Sequence, residues 1–203
     1  MTLAEKYIQG LKQAYEAIGA KEQWQHFESI KHGATKENIT KIKEKYPQAP
    51  ESLLALLEYV DGTHWREYKD ESIAFYFLGS DIDEYPYYIK SSEEIISEPL
   101  YSAADMLAEH LAWTEEIESG WDDRLSKNTE ATNWLHFSDC MNNGGTSQLF
   151  IDFTPSTSGK SGQIVRYVHD PDEIVVIADS FDDYLQMVMD EDYWFINEDT
   201  IVY

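Results

Sequence analysis

Residues 159–189 read GKSGQIVRYVHDPDEIVVIADSFDDYLQMVM, and how this stretch is parsed separates a nucleotide-binding α/β fold from an antiparallel one. Gly159-Lys160-Ser161 are the three residues that end a phosphate-binding loop. Such a loop also needs a glycine five residues earlier, so that consecutive backbone N–H groups curl around phosphate; that position is Thr154. It must also open a helix whose N-terminal dipole faces the anion. The next residues are instead GQIVRYV, a β-branched run with no cap before it, which reads as a strand. Gly159-Lys160-Ser161 is therefore the tip of a hairpin, and no nucleotide is implied. Before the tip, SQLFIDF puts Leu149, Ile151 and Phe153 on one face; after it, Ile164, Arg166 and Val168 alternate with Val165 and Tyr167. EIVVIAD supplies a further strand. Ser180 with Asp183 then caps a closing helix carrying Phe181, Tyr184, Leu185 and Val188.

On the N-terminal side WLHFSD adds a strand, with Asn142-Asn143-Gly144-Gly145 and Pro171 as turn formers between the runs. Further upstream the pattern becomes helical. Thr2 and Glu5 form a capping box before Leu3, Tyr7, Leu11, Ala14, Tyr15 and Ile18, a stripe that Gly19 ends. A second helix is expected from Thr35 towards Lys45. Pro50 opens a third, which carries Leu53, Leu54, Leu56, Leu57 and Val60 and closes at Gly62. SIAFYFLG and EYPYYIK read as two strands around the acidic turn Asp81-Ile82-Asp83-Glu84. Ser102 with Asp105 starts a fourth helix through Leu107, Leu111 and Ile117, ending near Gly120. Trp121–Asn133 is polar and reads as an exposed loop or insertion. Helices first, strands later and a helix at the end specify a single α+β domain with a mostly antiparallel sheet of about five to six strands.

The 203 residues suffice to bury a core without metal or disulfide, and 42% hydrophobic with 14% aromatic residues is too rich in packing groups for a disordered chain. No apolar run approaches the roughly 18 residues of a membrane span, and the opening residues lack a secretion-signal pattern, so a cytoplasmic protein is expected. The single cysteine, Cys140, fits a reducing compartment and reads as a small packed side chain. The balance of 15 Lys and Arg against 39 Asp and Glu leaves a formal charge of −24. Nucleic acid and anionic membranes would repel such a surface. A basic protein, a divalent cation, or solubility alone stay open as reasons for the charge.

Catalytic signatures are missing from the sequence. There is no His-Glu-x-x-His, Gly-x-Ser-x-Gly, paired Cys-x-x-Cys or Gly-x-Gly-x-x-Gly. The six histidines, His26, His32, His64, His110, His136 and His169, lack metal-ligand spacing. His169-Asp170 is the nearest approach to an acid/base pair, but neighbours on a strand point to opposite faces, and Pro171 makes the pair a turn. Acidic clusters at Asp81, Asp83 and Glu84, at Asp122 and Asp123, at Asp182 and Asp183, and at Asp190, Glu191 and Asp192 lack the spacing of a calcium loop. They read as solvated faces, or as an acidic face for a basic partner. Tyr85, Tyr87 and Tyr88, and Tyr193, Trp194 and Phe195, are core or interface aromatics. The partner-binding candidates are Asp81, Asp83, Glu84, Tyr85, Tyr88, Asp122 and Asp123; no catalytic, metal or cofactor residue is assigned.

These motifs together resemble the SUKH superfamily, the fold of fungal cell-wall-synthesis and killer-toxin-resistance regulators and of bacterial immunity proteins of polymorphic toxin systems. YPQAPESLLALLEYVDG is similar to the first signature of that family, a helix entered through proline and left through glycine. Gly162-Gln163-Ile164, the His169-Asp170 turn, and Ser180-Phe181 opening a helix through Tyr184 and Leu185 look like its second. The resemblance implies a SUKH-like domain over 35–195, a helical extension at 1–34 and a tail at 196–203. It further implies a non-enzymatic cytoplasmic protein that binds and neutralises a toxin, often a nuclease, with no cofactor. The alternatives are a regulatory or scaffold protein with a cellular partner, and a hydrolase using a pair of acidic residues.

Overall fold

A five-stranded antiparallel meander organises the chain. In the computed structural model, residues 1–82, 85–97, 102–117, 120–140, 147–168 and 173–198 are described, the side chains of 116 and 117 excepted. The turns expected at 142–145 and 169–172, Asp83, Glu84 and the Ile117 side chain lie outside them. The elements run α1 (Leu3–Ala17), α2 (Lys21–Ile30), α3 (Lys36–Lys45), α4 (Glu51–Tyr59), β1 (Arg66–Tyr68), β2 (Glu71–Ile73), β3 (Tyr88–Ile89), α5 (Ser92–Ile96), α6 (Ala103–Ile117), β4 (Trp134–Cys140), β5 (Ser147–Asp152), β6 (Gln163–Val168), β7 (Glu173–Ala178) and α7 (Phe181–Asp190). The large sheet has the order β3-β4-β5-β6-β7; β1 and β2 form a separate antiparallel hairpin. No helix among the described residues is long and apolar enough to cross a membrane.

The β5–β6 hairpin forms around Gly159-Lys160-Ser161 as its sequence predicts. Leu149 pairs with Arg166 and Ile151 with Ile164, and the Gly162 N–H closes the connection on the Asp152 carbonyl at 2.7 Å. Alternation then sorts side chains between two cores. Leu135, Phe137, Leu149, Ile151 and Ile164 enter the main core with α1, α4 and α7. Trp134, Phe150, Val165, Ile174 and Val176 face the other way, against Met106 and Leu107 of α6 and Leu125. The segment Trp121–Asn133 is thus more than an exposed loop: Leu125 is buried and helps cover the second face of the sheet.

The N-terminal helices are built into the main core. Tyr7, Leu11 and Tyr15 of α1 are buried. The Tyr7 hydroxyl donates to the Phe77 carbonyl and that of Tyr15 to Tyr76, each at 2.8 Å. Tyr193 donates to the Tyr7 carbonyl at 2.8 Å. Gly10 makes room for that contact, since a Cβ there would lie 2.2 Å from the Tyr193 hydroxyl. The segment after α7 is also packed, with Tyr193, Phe195 and Ile196 buried.

Four elements escape the sequence pattern, the three-residue β1 among them. α2 carries Trp24, Phe27 and Ile30 inward, but its N-cap is Ala20 with no side-chain hydrogen bond, so no capping residue announces it. α5 has a capping box, Ser91 with Glu94, yet is only five residues long. The expected strand at 72–79 is mostly irregular: only Ser72 and Ile73 belong to β2, and Leu78 forms an isolated bridge with Tyr87. Its aromatics explain this. Phe75 stacks on Phe27 at 4.2 Å and on Tyr15 at 4.5 Å, while Phe77 inserts beside Tyr7, so the segment follows the helices rather than a neighbouring strand.

Candidate interaction surface

The acidic and aromatic residues singled out in the sequence occupy separate environments. Asp81 accepts from Arg166 Nε at 2.5 Å and Nη2 at 3.1 Å, and Glu173 accepts from the same Nη2 at 2.7 Å. The Arg166 side chain is only 4% exposed, so Asp81 neutralises a buried cation instead of standing free. Tyr85 is half-buried against the main core. Tyr88 is buried, its ring 4.8 Å from both His64 and Tyr76, so it forms no exposed edge. Burial drives its phenol pKa upward.

Asp122 is also occupied. Its carboxylate accepts from Arg124 Nε at 2.9 Å and Nη2 at 2.6 Å, and from the Val176 N–H at 3.0 Å, while Arg124 Nη2 donates to the Val176 carbonyl at 2.8 Å. β7 is an edge strand, and this clamp takes up both backbone groups that Val176 would offer to another chain. Burial raises the Asp122 pKa, but the bonds from Arg124 and Val176 outweigh it and hold the carboxyl below the usual range. Asp122→Ala is expected to lower stability by about 1.5–3 kcal/mol and to increase self-association through EIVVIA. Urea unfolding and light scattering on heating check this; an unchanged midpoint with no added scattering would exclude the edge role. Asp123 is exposed.

A feature that sequence reasoning missed is Trp65, which is 66% exposed. The loop beneath it is stiff. Gly62 has φ +92, and a Cβ there would meet the Ser91 nitrogen at 2.8 Å. Its carbonyl accepts from the Tyr68 hydroxyl at 2.8 Å. Thr63 exchanges bonds with Ile89, N–H to carbonyl at 2.9 Å and Oγ1 from N–H at 3.1 Å, and its carbonyl accepts from Phe75 at 2.8 Å. Buried Asp61 accepts from the Ser92 N–H at 2.6 Å and Arg66 Nη2 at 3.1 Å. Trp65 itself has φ +47, a conformation that a bulky residue holds only where its surroundings dictate it. Next to it, Glu67 and Asp70 of the β1–β2 hairpin are exposed and make no salt bridge among the described residues, while Glu71 pairs with His26 at 2.8 Å. The signal was in the sequence: Trp65 is the lone large apolar residue of GTHWRE, fitting neither helical nor strand periodicity.

A cleft of about 450 Å³ lies between α3, α5, the start of α6 and the second face of the sheet, lined among others by Lys45, Lys90, Met106, Trp134, His136 and Phe150. Beside it, Asp139 accepts from His136 Nε2 at 2.7 Å and Lys90 Nζ at 2.6 Å. Burial raises the Asp139 pKa, but the hydrogen bond from His136 and the Lys90 ammonium prevail and hold it far below the ordinary carboxylate range. His136 meets the Ser138 carbonyl and Asp139, with no hydroxyl or thiol partner among the described residues. No three His, Cys, Asp or Glu side chains among the described residues gather to hold a metal ion. The arrangement is an ion cluster centred on Asp139.

A family model described as the SMI1 / KNR4 family (SUKH-1) matches residues 33–187. The chain belongs to the SMI1 / KNR4 family (SUKH-1). The SUKH-1 span begins after α2 and ends within α7, so α1, α2 and the Tyr193–Ile196 segment complete the core from outside it. SUKH-1 relatives include immunity proteins and cell-wall regulators, are in general non-catalytic, and act through protein–protein contact. A search of curated proteins returned no match.

Proposed function

We propose that this chain is a non-enzymatic cytoplasmic immunity protein that neutralises a basic toxin domain, a nuclease foremost, by binding it directly. The observation that carries the reading is the formal charge of −24 on a SUKH-1 fold. A nuclease site is basic because it must hold phosphate, so an acidic protein competes with nucleic acid for the same field. Steering between opposite charges can raise association from about 10⁵–10⁶ to about 10⁸–10⁹ M⁻¹s⁻¹ at low salt.

The test is a growth assay in which the chain is co-expressed with the C-terminal domain of a large secreted protein encoded beside it, where there is one. Rescue supports immunity. A domain that kills in the presence of folded, soluble chain overturns it and leaves the regulatory reading of the same family. The electrostatic part predicts that raising ionic strength to shorten the Debye length to about 3 Å slows association by tenfold or more without unfolding the chain. Stopped-flow mixing at several salt concentrations measures this, and a salt-independent rate removes the nuclease-mimic version.

A further inference from the structure

We infer that the docking face is Trp65 with the exposed edge of the β1–β2 hairpin, and that its occupant is a basic protein surface with an apolar pocket for the indole. This deepens the immunity reading and rests on it. Trp65 is the most exposed aromatic side chain of the described residues, at 66%. It makes no hydrogen bond or ring contact among them, although the loop that presents it is fixed at Asp61, Gly62 and Thr63. A tryptophan presented on a fixed backbone has only its two side-chain torsions to lose on binding, which is the property that makes tryptophan an interface anchor. The charge around it selects the partner. Glu67 and Asp70 are exposed on the adjoining hairpin without an ion-pair partner among the described residues; Lys69 between them keeps its charge but is turned to the Ser29 carbonyl at 2.7 Å, and Glu71 adds a third carboxylate. Asp81 and Asp122, by contrast, are held by Arg166 and Arg124. A cationic partner gains attraction at the hairpin, and an acidic or nucleic-acid partner is repelled. A second copy of the chain is disfavoured too, because two surfaces of −24 would be brought together.

The two parts of the face leave different kinetic marks. Against a toxin domain that the parent chain neutralises in the growth assay, Trp65→Ala should weaken binding about 30-fold or more, mainly by faster dissociation. The double change Glu67→Gln with Asp70→Asn should instead slow association and flatten its salt dependence. The same charge change at Asp190 and Glu191, outside the hairpin, serves as the comparison and should slow association less and leave its salt dependence steeper. Trp65 is exposed, so its variant should keep the urea midpoint of the parent chain, which separates lost binding from lost folding. Hydrogen exchange should show protection across residues 61–73 in the complex. If the parent chain rescues growth and Trp65→Ala binds within twofold of it, the face is elsewhere and immunity stands. Should the parent chain fail to bind or rescue, both the immunity reading and this face fall. Protection of the hairpin in the free chain, with a dimer in sedimentation, assigns the surface to self-association and also overturns the inference.

Discussion

A chain lacking α1 will not hold the native fold, and Tyr7→Ala alone will lower its stability by about 3–5 kcal/mol, the range for truncating a large buried aromatic. Tyr7 is fully buried and has three commitments. Its hydroxyl satisfies the Phe77 carbonyl, its ring lies 5.3 Å from Tyr193, and its carbonyl receives the Tyr193 hydroxyl. Truncation would open a cavity and leave the Phe77 acceptor without its partner. Tyr7→Phe separates these effects: it keeps the ring and should cost only about 1–3 kcal/mol. Urea unfolding followed by far-UV circular dichroism reads all three variants. If the α1-deleted chain unfolds cooperatively at the parent midpoint, the claim that the family-matched segment 33–187 needs this helix is wrong.

The second large effect is at Asp61. Asp61→Ala should remove about 3 kcal/mol, the lower end for breaking a buried ion pair, because Arg66 keeps 25% of its side chain in contact with water while the Asp61 side chain keeps 3%. The substitution leaves the Ser92 N–H without an acceptor and frees the loop that presents Trp65. It should therefore weaken partner binding as well as stability, whereas Trp65→Ala affects binding alone. Parallel urea and binding measurements distinguish the two. A variant with an unshifted midpoint would show that water replaces the carboxylate at no cost.

The sequence was most legible where local signals agree. Thr2 with Glu5, Thr35, and Ser180 with Asp183 cap α1, α3 and α7, and each helix then shows a regular apolar stripe. β5 and β6 alternate clearly enough for their faces to be read, whereas a register shift between His136 and Ser138 interrupts the alternation of β4. Legibility failed where long-range partners decide. Asp81 looks like a solvated turn residue until Arg166, 85 positions away, is placed beside it. Asp122 is similar, since its backbone partner Val176 lies 54 positions on. Tyr88 and Trp65 differ little as residue types for interface use; only the positions of His64 and Tyr76 bury the first and leave the second in water.

The contact between α1 and the segment after α7 also sets a timetable. Phe77 lies 70 residues after Tyr7, and Tyr193 lies 186 after it. At about 5–20 residues per second on the ribosome, the apolar stripe of α1 waits roughly 9–37 s for its last partner. Until Phe77 and then Tyr193 are made, part of that stripe is open to chaperones and to other nascent chains. The core is thus completed only once nearly the whole chain has been made.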